Sequence, residues 1–351
     1  MSNSWSKKIL FLIVIVLFVT LTTSSYSKEE EIHWTMFTEG TGLMWADKQW
    51  KEIIIPDIER ITGGRLKIDL LYYGEYPYKL PDFLRVISEG TADLVLIALP
   101  TLSGTEPRAT IVNMPMFMPS YPGDLQKVYH KIMDTVLIDV FIKWNCHEVL
   151  TTWMGAQHFY FKDFWLEDFN SLKGKKIRTF SPELDDLVRL LNGTPVRIDV
   201  SEVYTALQAG VADGFITGVS NGHNQKYFEV VKNMQATFIS DVAQAVLVNN
   251  DSWNSLPVNI QDILQEYFDS KREWYEMGQT LQNGLDLLDS FPKFGLKVQP
   301  ISEKLREEII EKSYEGIWKP WIKRCGEGGK EIFEDVSEIL KNEGFEVPVY
   351  E

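Results

Sequence analysis

The stretch Ser171–Gly214, SLKGKKIRTFSPELDDLVRLLNGTPVRIDVSEVYTALQAGVADG, decides the fold. KKIRTF and PVRIDV have the alternation of short strands. PELDDLVRLL and SEVYTALQAG carry apolar residues at helical spacing, Val203, Ala206 and Leu207 among them. Ser201 stands where an N-cap is expected, with Gly193 and Gly210 behind the two helices. The segment is therefore one βαβα unit of a parallel sheet. It places Arg178 at the exit of its first strand, followed by Phe180 and Pro182. In open α/β sheets ligands sit at the carboxyl ends of strands. A guanidinium there can give a carboxylate two parallel charge-assisted hydrogen bonds. The alternative is a surface arginine paired with Glu183 or Asp185. Nothing in the segment supplies a nucleophile, a metal cage or a phosphate loop. Glu202 and Asp213 read as structural acids, at a helix start and a tight turn.

Working upstream, Ile32–Phe37, RLKIDLLYY and DLVLIAL read as strands, and the stretch from Gly42 to Thr62 as an amphipathic helix closed by Gly63-Gly64. Pro56 is expected to kink or break that helix. NMPMFMPSYPGD reads as a packed connector, because methionine fills irregular core gaps, and 124–143 as a helix. The pattern restarts at His147 with a strand, EVLTTWM, and an aromatic loop before KKIRTF. Downstream, ATFISDVAQAVLVNN reads as a strand returning to the first half, and NIQDILQ onwards as one long helix. The expected organisation is a first α/β domain over 28–146 plus about 235–270, and a second over 147–234. From about 258 to 351 a long hinge-spanning helix and C-terminal helices pack on both.

The N-terminus has the layout of a secretory signal over residues 1–27: Lys7 and Lys8, an apolar run from Ile9 to Val19, then small residues ahead of Lys28. The run falls short of the about 20 residues that span a bilayer, so cleavage, export and no stable membrane insertion are expected. The 351-residue chain carries 35 basic and 50 acidic residues. Residues 1–27 hold two lysines and no acid, so the remainder has 33 basic against 50 acidic residues, a net −17. Such a charge argues against nucleic acid as a partner. Cys146 and Cys325 are either two buried thiols or one disulfide, which geometry decides. The five histidines lack metal-ligand spacing, and no metal or cofactor is expected.

In combination, K-G-x-K-I-R, G-x-P-V and S-E-V-Y-T-A-L-Q-x-G-x-x-D-G resemble the solute-binding proteins of tripartite ATP-independent periplasmic (TRAP) transporters, in their DctP-like branch. ITGGRLKIDLLYYGEY, SEGTADLVL, MPMFMPS, NQKYFEVVKN and NDSWNSLPVNIQDIL extend the resemblance, in register from about Ile32 to Glu266. It implies a two-domain, type II-like periplasmic binding protein with a hinge and a ligand cleft between the domains. The ligand would be a small organic acid handed to a membrane permease, and Arg178 matches the family's carboxylate-binding arginine.

Departures from the family pattern narrow the ligand. Thr217 stands where many members have asparagine, and Gln157 and His158 stand near where some have a second arginine. An acidic contact of sugar-acid binders falls near Ala98 and is absent. A monocarboxylate with an apolar body is the expectation, with Arg178 as the pocket's strong charge. Trp153, Phe159, Tyr160 and Phe180 are candidate walls. From the first domain, Phe37 and Glu39 are candidates; Glu39 is either a contact for a cationic ligand group or a solvated loop acid. The rival readings are an exported enzyme and a receptor of an ATP-driven importer. Adjacent Asp185 and Asp186 on a helix do not face one another, which weighs against acid-base catalysis there.

Overall fold

The computed structural model describes residues 30–118, 125–345 and 347; the expected signal segment 1–27 lies outside them. Three parallel strands, β1 (Ile32–Thr38), β2 (Leu66–Leu71) and β3 (Leu94–Ala98), begin the sheet. β3 is buried at every position, as a strand covered on both faces must be. The helix after β1 runs through Trp45–Gln49, Trp50–Ile54 and Ile55–Ile61, the middle segment being a π turn. Pro56 does not end it. The wide turn sits immediately before the proline, where the missing N–H and the bulky ring would otherwise disrupt the ladder. Gly63 and Gly64 then close the helix at φ 63° and 79°, with Gly64 N donating to the Glu59 carbonyl at 2.7 Å.

β4 (Cys146–Phe161) is 16 residues long and crosses from one half of the molecule to the other. Its first part pairs antiparallel with β9 (Asp241–Asn249). Its second part pairs antiparallel with β7 (Gly214–Gly218) and β8 (Asn233–Ala236). The expected aromatic loop is thus the distal end of this strand. Its rings alternate between two buried faces, Phe159 stacking on Phe161 at 5.5 Å and Tyr160 on Phe215 at 4.8 Å. An alternating strand whose two faces are both aromatic lacks the polar period that marks it in sequence.

β5 (Lys176–Thr179) lies parallel to β7 on one side and to β6 (Thr194–Arg197) on the other. β10 (Lys297–Pro300) pairs with β8. The main order is β2-β1-β3-β9-β4-β7-β5-β6. Two parallel blocks are therefore joined by the antiparallel crossing strands β4 and β9. The helix Val258–Leu285 packs along β4. C-terminal helices reach both blocks: Trp318 Nε1 donates to the Pro115 carbonyl at 2.8 Å, and Arg324 NH1 to Asp186 Oδ2 at 2.6 Å. Met114, Met116 and Met118 are core residues; residues 119–124 of the connector lie outside the described residues. Cys146 and Cys325 are free thiols, Cys146 buried and donating to the Phe141 carbonyl.

Candidate ligand-binding cleft

The carboxyl ends of three strands from each parallel block meet at one cavity of about 390 Å³. Glu39, Tyr73 and Ala98 come from the carboxyl ends of β1, β2 and β3; Arg178, Asp199 and Thr217 come from those of β5, β6 and β7. This is the location that parallel-sheet topology assigns to a ligand. Met154 and Val242 of the crossing strands form part of the wall, and Met44, Leu80, Pro100, Phe180 and Ile198 make much of the rest apolar.

Arg178 is 4% exposed. Its Nε donates to the Ile198 carbonyl at 3.0 Å and its guanidinium lies 5.2 Å from the Phe180 ring centroid. Among the described residues no carboxylate forms an ion pair with it. Burial pulls its pKa down to about 10, with Tyr227 and Asp199 opposing and Arg197 reinforcing. It stays charged at neutral pH, a buried cation with a neutral acceptor on one nitrogen. Glu183 and Asp185, the acids that a surface arginine would use, are engaged elsewhere. Glu183 accepts from Ser103 Oγ at 2.9 Å and pairs with Arg324 at 3.3 Å. Asp185 is gripped by Arg197 at 2.9 Å and by Thr179 Oγ1.

Arg178 is not the cavity's sole cation. Arg197 and Lys79 also line it. Arg197 is committed to Asp185, and Lys79 is an exposed side chain. Thr217 is buried, and its Oγ1 accepts from Asn221 Nδ2 at 2.8 Å. Asn221 lines the cavity from the helix Val219–Asn224 and was missed by sequence reasoning. Its signal was the four-residue offset from Thr217, which puts both side chains on one edge where the strand becomes helix.

Glu39 is a wall residue and is 5% exposed, not a solvated loop acid. Gln244 Nε2 donates to its Oε1 at 2.7 Å. Burial pushes the carboxyl up to about 7, against the Ala98 backbone and Gln244 hydrogen bonds, with Asp47 adding to the rise. Five other candidates lie outside the cavity wall. Trp153 stacks on Tyr129 at 3.8 Å, because strand alternation sends Met154 to the cavity and its neighbour to the opposite face. Phe37 stacks on Tyr76 at 4.4 Å inside the first core, since β1 meets the cavity only past its end. Gln157 is buried in the crossing region, its Nε2 donating to Ser240 Oγ at 3.3 Å. His158 is also buried there, with Nδ1 accepting from Thr237 N and Phe238 N at 3.1 and 3.2 Å. Its pKa falls to about 3 through burial, then Arg306, which fits a neutral acceptor. Phe159 and Tyr160 are core, as described.

Ser201 is not the N-cap expected of it. Asp199 takes that place, accepting from Ser201 N at 3.0 Å and Oγ at 2.7 Å in an Asx turn. Burial pushes the Asp199 carboxyl up, yet the Ser201 and Tyr73 hydrogen bonds hold it below its ordinary range. Asp213 is structural, accepting from Lys176 N at 2.8 Å. The two blocks are bridged at the cavity by Tyr73 Oη donating to Asp199 Oδ2 at 3.0 Å, and by the Ser103–Glu183 bond.

β7 runs into GVSNG, Gly218–Gly222, which has the G-x-S-x-G spacing of a hydrolase nucleophile turn and was overlooked in the sequence. Its geometry is different. Ser220 is buried, lies outside the cavity wall and lacks the positive φ of a strained elbow. Its Oγ accepts from Asn224 Nδ2 at 3.4 Å, whereas a hydrolase nucleophile donates its proton to a histidine.

Two parallel blocks, crossing strands and a cavity between the blocks define a two-domain solute-binding protein. The profile of the DctP family, bacterial extracellular solute-binding protein family 7, matches residues 48–323, and the chain belongs to this family of TRAP receptors. A solute-binding protein of Sulfitobacter sp. NAS-14.1 is 23% identical over 279 residues, 79% of this chain and 82% of its own. A TRAP periplasmic solute-binding protein from Desulfovibrio salexigens, solved with bound orotic acid, superposes with TM-score 0.80 at 20% identity, covering 88% of this chain and 99% of its own. DctP6 of Bordetella pertussis, an extracytoplasmic solute receptor binding pyroglutamic acid, gives TM-score 0.79 at 20% identity, covering 88% and 100%. At these identities the likeness to the solved structures is one of fold.

Proposed function

We propose that this chain is the extracytoplasmic receptor of a TRAP transporter, and that it binds a small monocarboxylate with an apolar body and presents it to a membrane permease. The observation that carries this reading is Arg178: a buried guanidinium at a strand end, with no ion-pair partner among the described residues, in a mostly apolar cavity between the two blocks. A ligand carboxylate gives that cation its counter-charge, a contact worth about 1.5–3 kcal/mol. The cavity is at the small end of ligand sites, which run from about 300 to 1,000 Å³. Orotic and pyroglutamic acids, bound by the two structural neighbours, each place one carboxylate on a small ring.

Binding without turnover belongs to the same reading, and membership of a family of solute receptors supports it. Export to the periplasm and removal of residues 1–27 belong to this proposal. No helix among the described residues is long and apolar enough to cross a membrane. Thermal-shift screening of mono-, di- and sugar-acid panels tests the ligand class. Ring-bearing monocarboxylates are expected to raise the unfolding temperature most, since ligand at 100 times Kd adds about 2.7 kcal/mol. A dicarboxylate or sugar acid that outranks them sinks the monocarboxylate reading.

A further inference from the structure

We propose that Glu39 selects acids that carry a hydrogen-bond donor, an amide N–H or a hydroxyl, at the end of the molecule opposite the carboxylate. The inference rests on the Arg178–carboxylate reading and adds a second pole to it. β1 and β5 lie on opposite sides of the crossing strands, so Glu39 and Arg178 face the cavity from its two halves. A small acid anchored by Arg178 presents its far end to the first block.

Two acids line the cavity, and they differ in what they have left to offer. Asp199 is engaged by Ser201 and Tyr73. Glu39 receives the Gln244 amide and the Ala98 backbone hydrogen bond. Gln244 itself is 1% exposed, and its Oε1 has no hydrogen-bond partner among the described residues. Gln244 lies outside the cavity wall and backs Glu39, so the Glu39 carboxyl is the polar group that the first block presents to the cavity. Neighbouring groups do not supply it with a further donor. Asp47 is an acceptor already held by Thr38 Oγ1 at 2.7 Å and Gly42 N at 2.9 Å, and Tyr76 Oη donates to the Thr38 carbonyl at 2.6 Å. A ligand donor is what completes the site. A site built to receive a donor also rejects analogues that lack it, because its own polar group is then left unpaired.

Calorimetric titration with matched pairs tests this: pyroglutamate against cyclopentanecarboxylate, and 3-hydroxybenzoate against benzoate. Wild type is expected to favour the donor-bearing member of at least one pair by more than about tenfold. Glu39→Met should erase that preference, and Glu39→Gln, which keeps one acceptor oxygen, should restore part of it. Equal affinities within both pairs in wild type, or a preference that survives Glu39→Met, overturn the role of Glu39 while leaving the Arg178 reading intact. Acids that bind Arg178→Ala as tightly as wild type overturn both.

Discussion

Arg178 Nε donates to the Ile198 carbonyl at 3.0 Å, a bond between the ends of neighbouring parallel strands. One edge of the guanidinium is thereby fixed, and the terminal nitrogens remain for a planar, bidentate partner. Charge without the fork is not enough. Arg178→Lys is expected to weaken carboxylate binding by about 10- to 100-fold and Arg178→Ala by more, read by calorimetry. The unfolding temperature of the ligand-free Ala variant should not fall, since a buried cation without a counter-charge is removed. Arg197→Ala, which breaks a pair with Asp185 rather than a ligand contact, is expected to cost less than about tenfold in affinity.

Closure has its own handle in Tyr73. Its hydroxyl bonds Asp199 across the cleft, a contact that separating the two blocks would break. Tyr73→Phe removes a hydrogen bond to a charged group worth about 1.5–3 kcal/mol when fully formed, less where water competes. Affinity is expected to drop by roughly 5- to 10-fold. Small-angle scattering should show a larger radius for the ligand-free variant than for wild type, and identical radii would remove Tyr73 from the closing contact.

The crossing strand is shaped at Gly155, which has φ 85° beside a register shift between Trp153 and Ala156. An added Cβ would meet Asn283 Nδ2 at 2.3 Å. That amide donates to the Met154 carbonyl at 3.0 Å, while Asn283 Oδ1 accepts from Ser220 N at 3.1 Å. Gly155→Ala therefore strains the backbone and dislodges a clamp that ties the long helix to the crossing strand and the second block. A loss of about 2 kcal/mol or more is expected in denaturant unfolding.

Glu39 makes stability depend on pH with a definite sign. Its folded-state pKa of about 7 lies above the ordinary value of 4.5. The folded protein holds a proton that the unfolded chain releases, so Glu39's own contribution to stability is fully present below pH 4.5 and is lost as pH rises to about 7. The drop is on the order of 3 kcal/mol. Asp241, raised to about 6 by burial, acts in the same direction, so the informative quantity is the difference between wild type and Glu39→Gln. Wild type should lose stability relative to the variant across that window; parallel curves would place Glu39 in contact with water.

The parallel strands, their helices and Arg178 at a strand end were legible because alternation, helical spacing and terminal glycines act locally. The distal part of β4 was not, since Phe159, Tyr160 and Phe161 bury rings on both faces and so show no polar period. Side-chain direction was also hidden. Trp153 and Met154 are adjacent in sequence and face opposite sides, and the register that decides between them is set by pairing with β9 and β7. Glu39 looked like a loop acid because its hydrogen-bond partner, Gln244, is 205 positions away. Tyr73 and Asp199, 126 positions apart, meet only across the closed cleft.

Calorimetric titration of wild type and Arg178→Ala with a library of small organic acids tests the central claim most directly. The expected result is one or more monocarboxylates that bind wild type at micromolar concentration or below and bind the variant at least about 100-fold more weakly. Acids that bind both proteins equally, or a library in which no acid binds wild type, would contradict it.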